Sequence, residues 1–84
     1  MYVIIFSDQA LKQLKKLDKE TARRIISTIE RCRINPHSHV MKLVASPYTR
    51  LRVGDYRVII DIKDKELIIM VIGVGHRRNA YQDF

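Results

Sequence analysis

Five arginines and one histidine in the second half of the chain have types and a spacing that suit phosphate chemistry. Arg50, Arg52 and Arg57 fall in two adjacent apolar segments, and the others follow one another in His76-Arg77-Arg78. A guanidinium group stays charged and donates paired hydrogen bonds to phosphate, whereas a histidine exchanges a proton near neutral pH. Tyr81 adds a ring that can stack on a base. These residues indicate chemistry on a nucleic acid backbone.

The three arginines in the middle of the chain converge if their segments form a hairpin. Tyr48–Val53 and Tyr56–Ile62 have the composition of strands and are separated by Gly54-Asp55, a plausible two-residue turn. Such a turn sets Arg52 opposite Arg57, so that both share one face of the sheet with Arg50. The opposite face is then apolar, with Leu51, Val53, Tyr56, Val58 and Ile60. The alternative is an ordinary solvated face, on which Asp61 pairs with one arginine.

The side on which His76 lies depends on how the last strand pairs. If a tight turn at Asp64-Lys65 joins the last two strands, His76 has the parity of Arg57, and Arg77 has the opposite parity. The glycines at positions 73 and 75 permit a bend, so alternation does not fix the side chains beyond that point. A basic tail without a catalytic role is the alternative for this segment.

A sheet and two helices are predicted to position these residues. Tyr2–Phe6 is β-branched and aromatic and predicts a buried strand. Ser7 and Asp18 are suitable N-caps for two amphipathic helices, and the second should end near Asn35-Pro36. The two apolar stripes need a sheet to cover them.

Two further strands complete the prediction. Val40–Ala45 is a weak candidate, whereas Glu66–Val74 is the longest apolar run and is typical of a central strand buried on both faces. We therefore predict one α+β domain over residues 1–84. It consists of an N-terminal strand and a helical hairpin packed on a mostly antiparallel sheet of three to four strands.

Composition limits the classes of function. Sixteen Lys and Arg against nine Asp and Glu give a formal net charge of +7, which attracts polyanions but also fits a merely basic domain. Cys32 is the single cysteine and falls on the apolar side of a predicted helix, where a buried thiol is the common outcome. His37 and His39 have no third ligand at a suitable spacing, so no metal site is expected. The chain lacks a long apolar stretch or leader, which predicts a cytoplasmic protein without a membrane partner.

Four segments resemble RelE-type toxins of the RelE/ParE toxin–antitoxin superfamily. They are the opening Tyr2–Ser7 before a Leu- and Lys-rich helix, the pair Lys42-Leu43, the block Tyr48–Ile62 and the block Val71–Tyr81. The resemblance covers essentially the whole chain. Its most specific part is Arg-Leu-Arg…Tyr-Arg-Val at the right distance from Gly-His-Arg-Arg…Tyr.

The resemblance implies a RelE-like fold and a ribosome-dependent endoribonuclease. Such toxins cut mRNA in the ribosomal A site by attack of a ribose 2′-hydroxyl on the adjacent phosphate, without a metal or other cofactor. By position, Arg57 matches the family's phosphate-binding arginine, Arg77 the arginine that supports the leaving group, and Tyr81 the tyrosine that orients the base. The expected catalytic residues are Arg50, Arg57, His76, Arg77 and Tyr81, and the expected RNA- or ribosome-binding residues are Lys42, Tyr48, Arg52 and Arg78.

The family also implies partners for this chain. They are a cognate RelB-like antitoxin, the small ribosomal subunit and mRNA, with toxin and antitoxin assembled as a heterotetramer. The antitoxin is expected to place an apolar helix on exposed parts of the sheet or helices, and its acidic groups would meet the basic surface.

One position departs from the family pattern. Tyr48 stands where well-known members carry a second catalytic lysine proposed as the base, and Arg50 is too basic to replace it. We therefore expect His76 or Tyr48 to take part in proton transfer, or catalysis to rely on charge and geometry. Two alternative functions are a ParE-like toxin that inhibits DNA gyrase without nuclease activity, and a simple basic nucleic-acid-binding domain.

Overall fold

Two helices pack on one face of a five-stranded sheet in the computed structural model, which describes residues 1–76. The helices are α1 (Asp8–Lys15) and α2 (Lys19–Arg31), and a short 3₁₀ helix follows at Pro36–Ser38. The strands are β1 (Val3–Phe6), β2 (Met41–Lys42), β3 (Thr49–Val53), β4 (Tyr56–Lys63) and β5 (Ile68–His76). Their order in the sheet is β1-β5-β4-β3-β2. The β1–β5 pair is parallel and the other pairs are antiparallel, so the predicted α+β class is confirmed.

Both predicted N-caps are confirmed. The Ser7 hydroxyl accepts a hydrogen bond from the Ala10 N–H at 3.0 Å, and the Asp18 carboxylate accepts one from the Thr21 N–H at 3.1 Å. These bonds satisfy backbone donors that have no partner inside the first turn of a helix. Hydrogen bonds from the Thr21 side chain and from its backbone N–H lower the pKa of Asp18.

The second helix ends earlier than the predicted Asn35-Pro36. It stops at Arg31, because Arg33 turns back to the start of the chain and pairs with Tyr2. The Tyr2 N–H donates to the Arg33 carbonyl at 2.8 Å, and Arg33 Nε donates to the Tyr2 carbonyl at 2.9 Å. A long-range contact thus replaces the last predicted turn of helix.

The core lies between the helices and the inner face of the sheet. Ile25 and Ile29 of α2 are fully buried, as are Val58 of β4 and Val71 of β5. The predicted apolar face of the β3–β4 hairpin belongs to this cluster, with Leu51, Val53, Val58 and Ile60 buried and Tyr56 half-buried against it. Cys32 is buried here too, and burial raises the pKa of its thiol.

Burial of the outer strands differs from the prediction. The strand at Tyr2–Phe6 is confirmed as β1, but it forms an edge of the sheet and is not fully buried, with Val3 55% and Ile5 40% exposed. Glu66–Val74 corresponds to β5, which lies second in the sheet, whereas β4 occupies the middle. The helices cover one face only, so the outer face of β5 stays half-buried.

The chain connections explain two shifted strand boundaries. The weak strand predicted at Val40–Ala45 shrinks to the two residues of β2, since Ala45 has a φ of 56°, which no strand accommodates. Asp64–Leu67 separates Lys63 from its partner Ile68, in place of the predicted two-residue turn, and Leu67 also has a φ of 56°. β5 accordingly begins at Ile68 and continues to His76.

Candidate nucleic-acid interface

The arginine cluster predicted from strand alternation is present on the outer face of the sheet. Arg52 is directly opposite Arg57, and Val53 is opposite Tyr56, as the two-residue turn requires. Gly54 has a φ of 59°, the value that a type II′ turn needs at its first central residue. Directly opposed side chains have Cβ atoms about 5 Å apart, so two guanidinium groups start from neighbouring positions.

The positive charges of Arg52 and Arg57 repel one another because the two residues are directly opposed. Two exposed positive charges 4 Å apart in bulk water repel by about 1 kcal/mol, and more where water is excluded. Arg52 is exposed, whereas Arg57 is half-buried. An anion held between the two side chains would relieve this repulsion, and a phosphate fits the fork of each guanidinium.

Arg50 lies on the same face, two residues before Arg52. Its direct partners are Ile59 on β4 and Met41 on β2, and Arg50 Nη2 lies 3.5 Å from the Met41 sulfur. Ile59 is fully buried although it faces away from the helices. An apolar residue of the outer face is therefore covered, which the sequence analysis did not predict.

Lys42 does not join this cluster. It pairs with Thr49, whose parity is that of the core residues, so its side chain starts on the opposite side of the sheet edge from Arg50. Met41 is the β2 residue that lies beside Arg50. Tyr48 immediately precedes β3 and is half-buried; its N–H donates to the Ser46 hydroxyl at 3.1 Å.

The tight turn at Asp64-Lys65, on which a shared parity of His76 and Arg57 depended, is absent, and the two residues lie on opposite sides of the sheet. His76 is directly opposite Tyr56, and Arg57 is opposite Gly75. The register shifts between Ile59 and Ile60, which pair with Gly73 and Val71 and leave the residue between them as an extra one on β5. This β-bulge reverses the side on which every later side chain of the strand lies.

His76 consequently stands on the helix side at the end of the sheet. Its ring meets the ring of Tyr56 edge to face, with centroids 5.7 Å apart and an interplanar angle of 81°. Arg57 follows Tyr56 in the chain and points to the other side. His76 and the pair Arg52 and Arg57 therefore lie at the same end of the sheet but on opposite faces.

A further cation at this end was missed in the sequence analysis. The Arg24 guanidinium of α2 lies over the β3–β4 turn, and a Cβ atom added at Gly54 would be 3.5 Å from its Nη2 atom. Residue spacing gave no signal for this contact, because it depends on how α2 packs across the sheet. Arg77, Arg78 and Tyr81 lie outside the described residues.

Within residues 1–76, no group of three His, Cys, Asp or Glu side chains is arranged to hold a metal ion. Every helix in that range is too short or too polar to cross a lipid bilayer.

Comparison with known proteins assigns the chain to a family. The family described as ParE toxin of type II toxin–antitoxin systems, parDE, matches residues 4–81. A RelE-like toxin protein of Escherichia coli is 33% identical over 82 residues, which make up 94% of this chain and 86% of that protein. The chain belongs to the RelE/ParE superfamily. The resemblance stated from the sequence is thereby confirmed.

Other members of the RelE/ParE superfamily are similar over nearly the same length. The mRNA interferase toxin RelE of Escherichia coli is 26% identical over 82 residues, with 94% of this chain and 86% of that protein covered. The solved archaeal RelE–RelB complex from Pyrococcus horikoshii contains a chain with a TM-score of 0.79 and 28% identity. That match covers 94% of this RelE/ParE-type chain and 98% of the other.

Proposed function

We propose that this toxin is a ribosome-dependent endoribonuclease that cuts mRNA in the ribosomal A site. The observation that carries the proposal is the convergence of Arg50, Arg52 and Arg57 on one face at the end of the sheet. Guanidinium groups at neighbouring positions can donate paired hydrogen bonds to the phosphates of a polyanionic ligand. The similarity to a toxin named mRNA interferase supports RNA as that ligand.

The proposed reaction needs no metal. A base takes the proton of a ribose 2′-hydroxyl, the oxygen bonds to the adjacent phosphorus, and the bond to the 5′-oxygen of the next nucleotide breaks as that oxygen is protonated. Arg50 and Arg57 bind the phosphate and stabilise the charge that accumulates on its oxygens. Arg77 supports the leaving oxygen and Tyr81 stacks on the base, both by analogy with the family.

We assign proton transfer to His76. Because it stands on the helix side while the arginines stand on the outer side, the scissile phosphate would lie across the end of the sheet. Tyr48 is the second group available for this step. Arg52, Arg78 and Lys42 would contact more distant RNA, including ribosomal RNA of the small subunit.

The product ends test the reaction directly. Programmed ribosomes are incubated with the toxin, and the 5′ ends of the cut mRNA are mapped. We expect cuts within codons held in the A site, leaving a 2′,3′-cyclic phosphate and a 5′-hydroxyl. Cuts that ignore the reading frame, or ends carrying a 5′-phosphate, would contradict the proposal.

A gyrase inhibitor is the second candidate, because the matching family description is that of ParE toxins. Supercoiling of relaxed plasmid by DNA gyrase decides between the two. Inhibited supercoiling together with intact mRNA would establish the ParE-like function. Normal supercoiling together with cut mRNA supports the nuclease.

The proposal includes a RelB-like antitoxin that holds the toxin inactive in the cytoplasm, as a heterotetramer. Support comes from the β1 edge, where exposed Val3 borders a groove of about 320 Å³ between β1 and α2. The groove is lined by Val3, Ile4, Phe6, Ile26, Glu30 and Arg33. A groove that is lined by both apolar and charged residues beside an open strand edge suits an amphipathic segment of a partner.

Co-expression with the neighbouring reading frame tests this partner. We expect Val3→Glu to weaken the complex while leaving mRNA cleavage intact. Val3 is on β1, which β5 and β4 separate from the strand that carries Arg50 and Arg52. Leu11→Glu, which changes a comparably exposed side chain on α1, is the matched control. Equal loss of binding in both variants would contradict docking at β1.

A further inference from the structure

We propose that Gln13 of α1 is a positioning residue of the cleavage reaction, because it holds the β-bulge that sets the side of the sheet on which His76 lies. The inference rests on the nuclease function proposed above. Gln13 is half-buried in the last turn of α1 and is far from the arginines in sequence.

The two halves of β5 have different neighbours on one edge. Up to Val71 the strand lies between β4 and β1, which ends at Phe6 opposite that residue. Beyond that point the chain turns at Ser7 into α1, so the helix takes the place of the missing strand. The backbone groups on this edge of β5 then need side-chain partners.

Two side chains of the α1 region provide those partners. The Ser7 hydroxyl donates to the Ile72 carbonyl at 2.7 Å while it caps the helix. The Gln13 side-chain oxygen accepts from the Val74 N–H at 2.6 Å. Ile72 is the extra residue of the bulge, so one contact falls on the bulge and the other just after it.

These contacts select one register over another. Val74 is 4% exposed, and a buried N–H without an acceptor destabilises a fold. Without the extra residue, Val74 would leave the core side and His76 would move to the side of Arg57. An acceptor at Gln13 therefore favours the bulged arrangement, in which His76 meets the Tyr56 ring.

The test compares Gln13→Leu, which removes the acceptor, with Gln13→Glu, which keeps an oxygen at the same distance from the backbone. Gln9→Leu makes the same change at an exposed position of the same helix and is the control. We expect Gln13→Leu to lower the turnover number for mRNA cleavage on the order of 100-fold with little change in KM, as a displacement of about 1 Å does. Gln13→Glu should restore most of the loss, and Gln9→Leu should have no effect.

Proton NMR separates this inference from the nuclease function. In wild type and Gln13→Glu we expect cross-peaks between the Tyr56 and His76 rings and slow exchange of the Val74 amide. Both should be lost in Gln13→Leu while the core signals persist. Ring contacts that survive in Gln13→Leu would overturn the inference even if the protein cuts mRNA. A wild type that does not cut mRNA would overturn the nuclease function and the catalytic part of the inference, whereas loss of the ring contacts would still establish that Gln13 sets the register of β5.

Discussion

The two ends of the sheet differ in the charged and polar side chains that they bring together. The basic end, defined by Arg52, Arg57 and His76, gathers cations on adjacent strand positions. The opposite end, about 20 Å away along β4, gathers donors around one carboxylate. There, Asp64 Oδ1 accepts a hydrogen bond from the Tyr2 hydroxyl at 2.7 Å and lies 2.7 Å from His37 Nε2. We call this group of Tyr2, His37 and Asp64 the clasp.

The clasp joins three parts of the chain. Tyr2 precedes β1, His37 belongs to the 3₁₀ helix, and Asp64 begins the β4–β5 connection. Its donors and acceptor complement one another, so its structural role is evident from the contacts themselves. The basic end instead places cationic side chains at adjacent strand positions. The difference teaches that the kinds of side chain gathered at each end set the two surfaces apart, and each prediction below tests that distinction.

Loss of Arg57 should have the largest effect. We expect Arg57→Gln to lower the rate of mRNA cleavage about 100- to 1,000-fold, the range for removing one donor to a charged transition state. Urea unfolding of the variant gives the folded fraction to which the cleavage rate is normalised. Arg31→Gln, an exposed arginine on α2, is the control and should retain cleavage. A strongly destabilised Arg57→Gln with normal cleavage per folded molecule would reverse the assignment of the two ends.

Loss of His76 should have the next largest effect. General acid–base catalysis contributes about 100-fold or more, so His76→Ala should lower cleavage by that order and flatten its pH profile near neutrality. Tyr56→Phe keeps the ring that His76 contacts and should leave the profile unchanged. If His76→Ala cleaves normally across neutral pH, proton transfer belongs to another group, and Tyr48 would be tested next.

The same comparison shows how far the sequence determines this structure. Alternation of side chains predicted the register of the β3–β4 hairpin and the arginine face correctly, because a two-residue turn permits only one pairing of the two strands. Alternation does not place the His76 side chain, because the extra residue of the β-bulge in β5 reverses the side on which later residues lie. That bulge is contacted by side chains of the α1 region, which strand alternation does not take into account. The glycines at positions 73 and 75 were the only local signal, because strand glycines often mark bulges.

Long-range contacts account for the other misses. Arg24 reaches Gly54 from a distant helix, and the clasp unites residues up to 62 positions apart. No spacing in the sequence specifies such encounters. The histidine at position 37, considered as a metal ligand and rejected, instead pairs with a carboxylate.

A substitution at the hairpin turn should have a moderate effect on stability. Gly54→Ala places a Cβ atom at a φ of 59°, which destabilises a non-glycine residue by about 1 kcal/mol, and close to the Arg24 guanidinium. We expect the midpoint of urea unfolding to fall accordingly. Asp55→Ala in the same turn should change it little. Equal midpoints for Gly54→Ala and wild type would show that the turn of the basic end is not conformationally constrained.

The clasp should give the smallest effect, and one that depends on pH. Hydrogen bonds from His37 and Tyr2 lower the pKa of Asp64, so its stabilisation is present above the ordinary aspartate pKa of about 3.9 and is lost as the pH falls through the lower folded value. The bond to Asp64 raises the pKa of Tyr2, so its share is present below about 10 and is lost at higher pH.

Asp64→Asn tests this window. We expect the variant to unfold at a slightly lower urea concentration than wild type between these two limits, and the difference to disappear in acid. The difference should be smaller than that for Gly54→Ala, because all three clasp side chains are accessible to solvent and water screens their interaction. Cleavage per folded molecule should not change, since the clasp lies at the far end of the sheet from the arginines. A pH-independent difference would show that the carboxylate charge contributes nothing, and a loss of cleavage would show that the two ends are not independent.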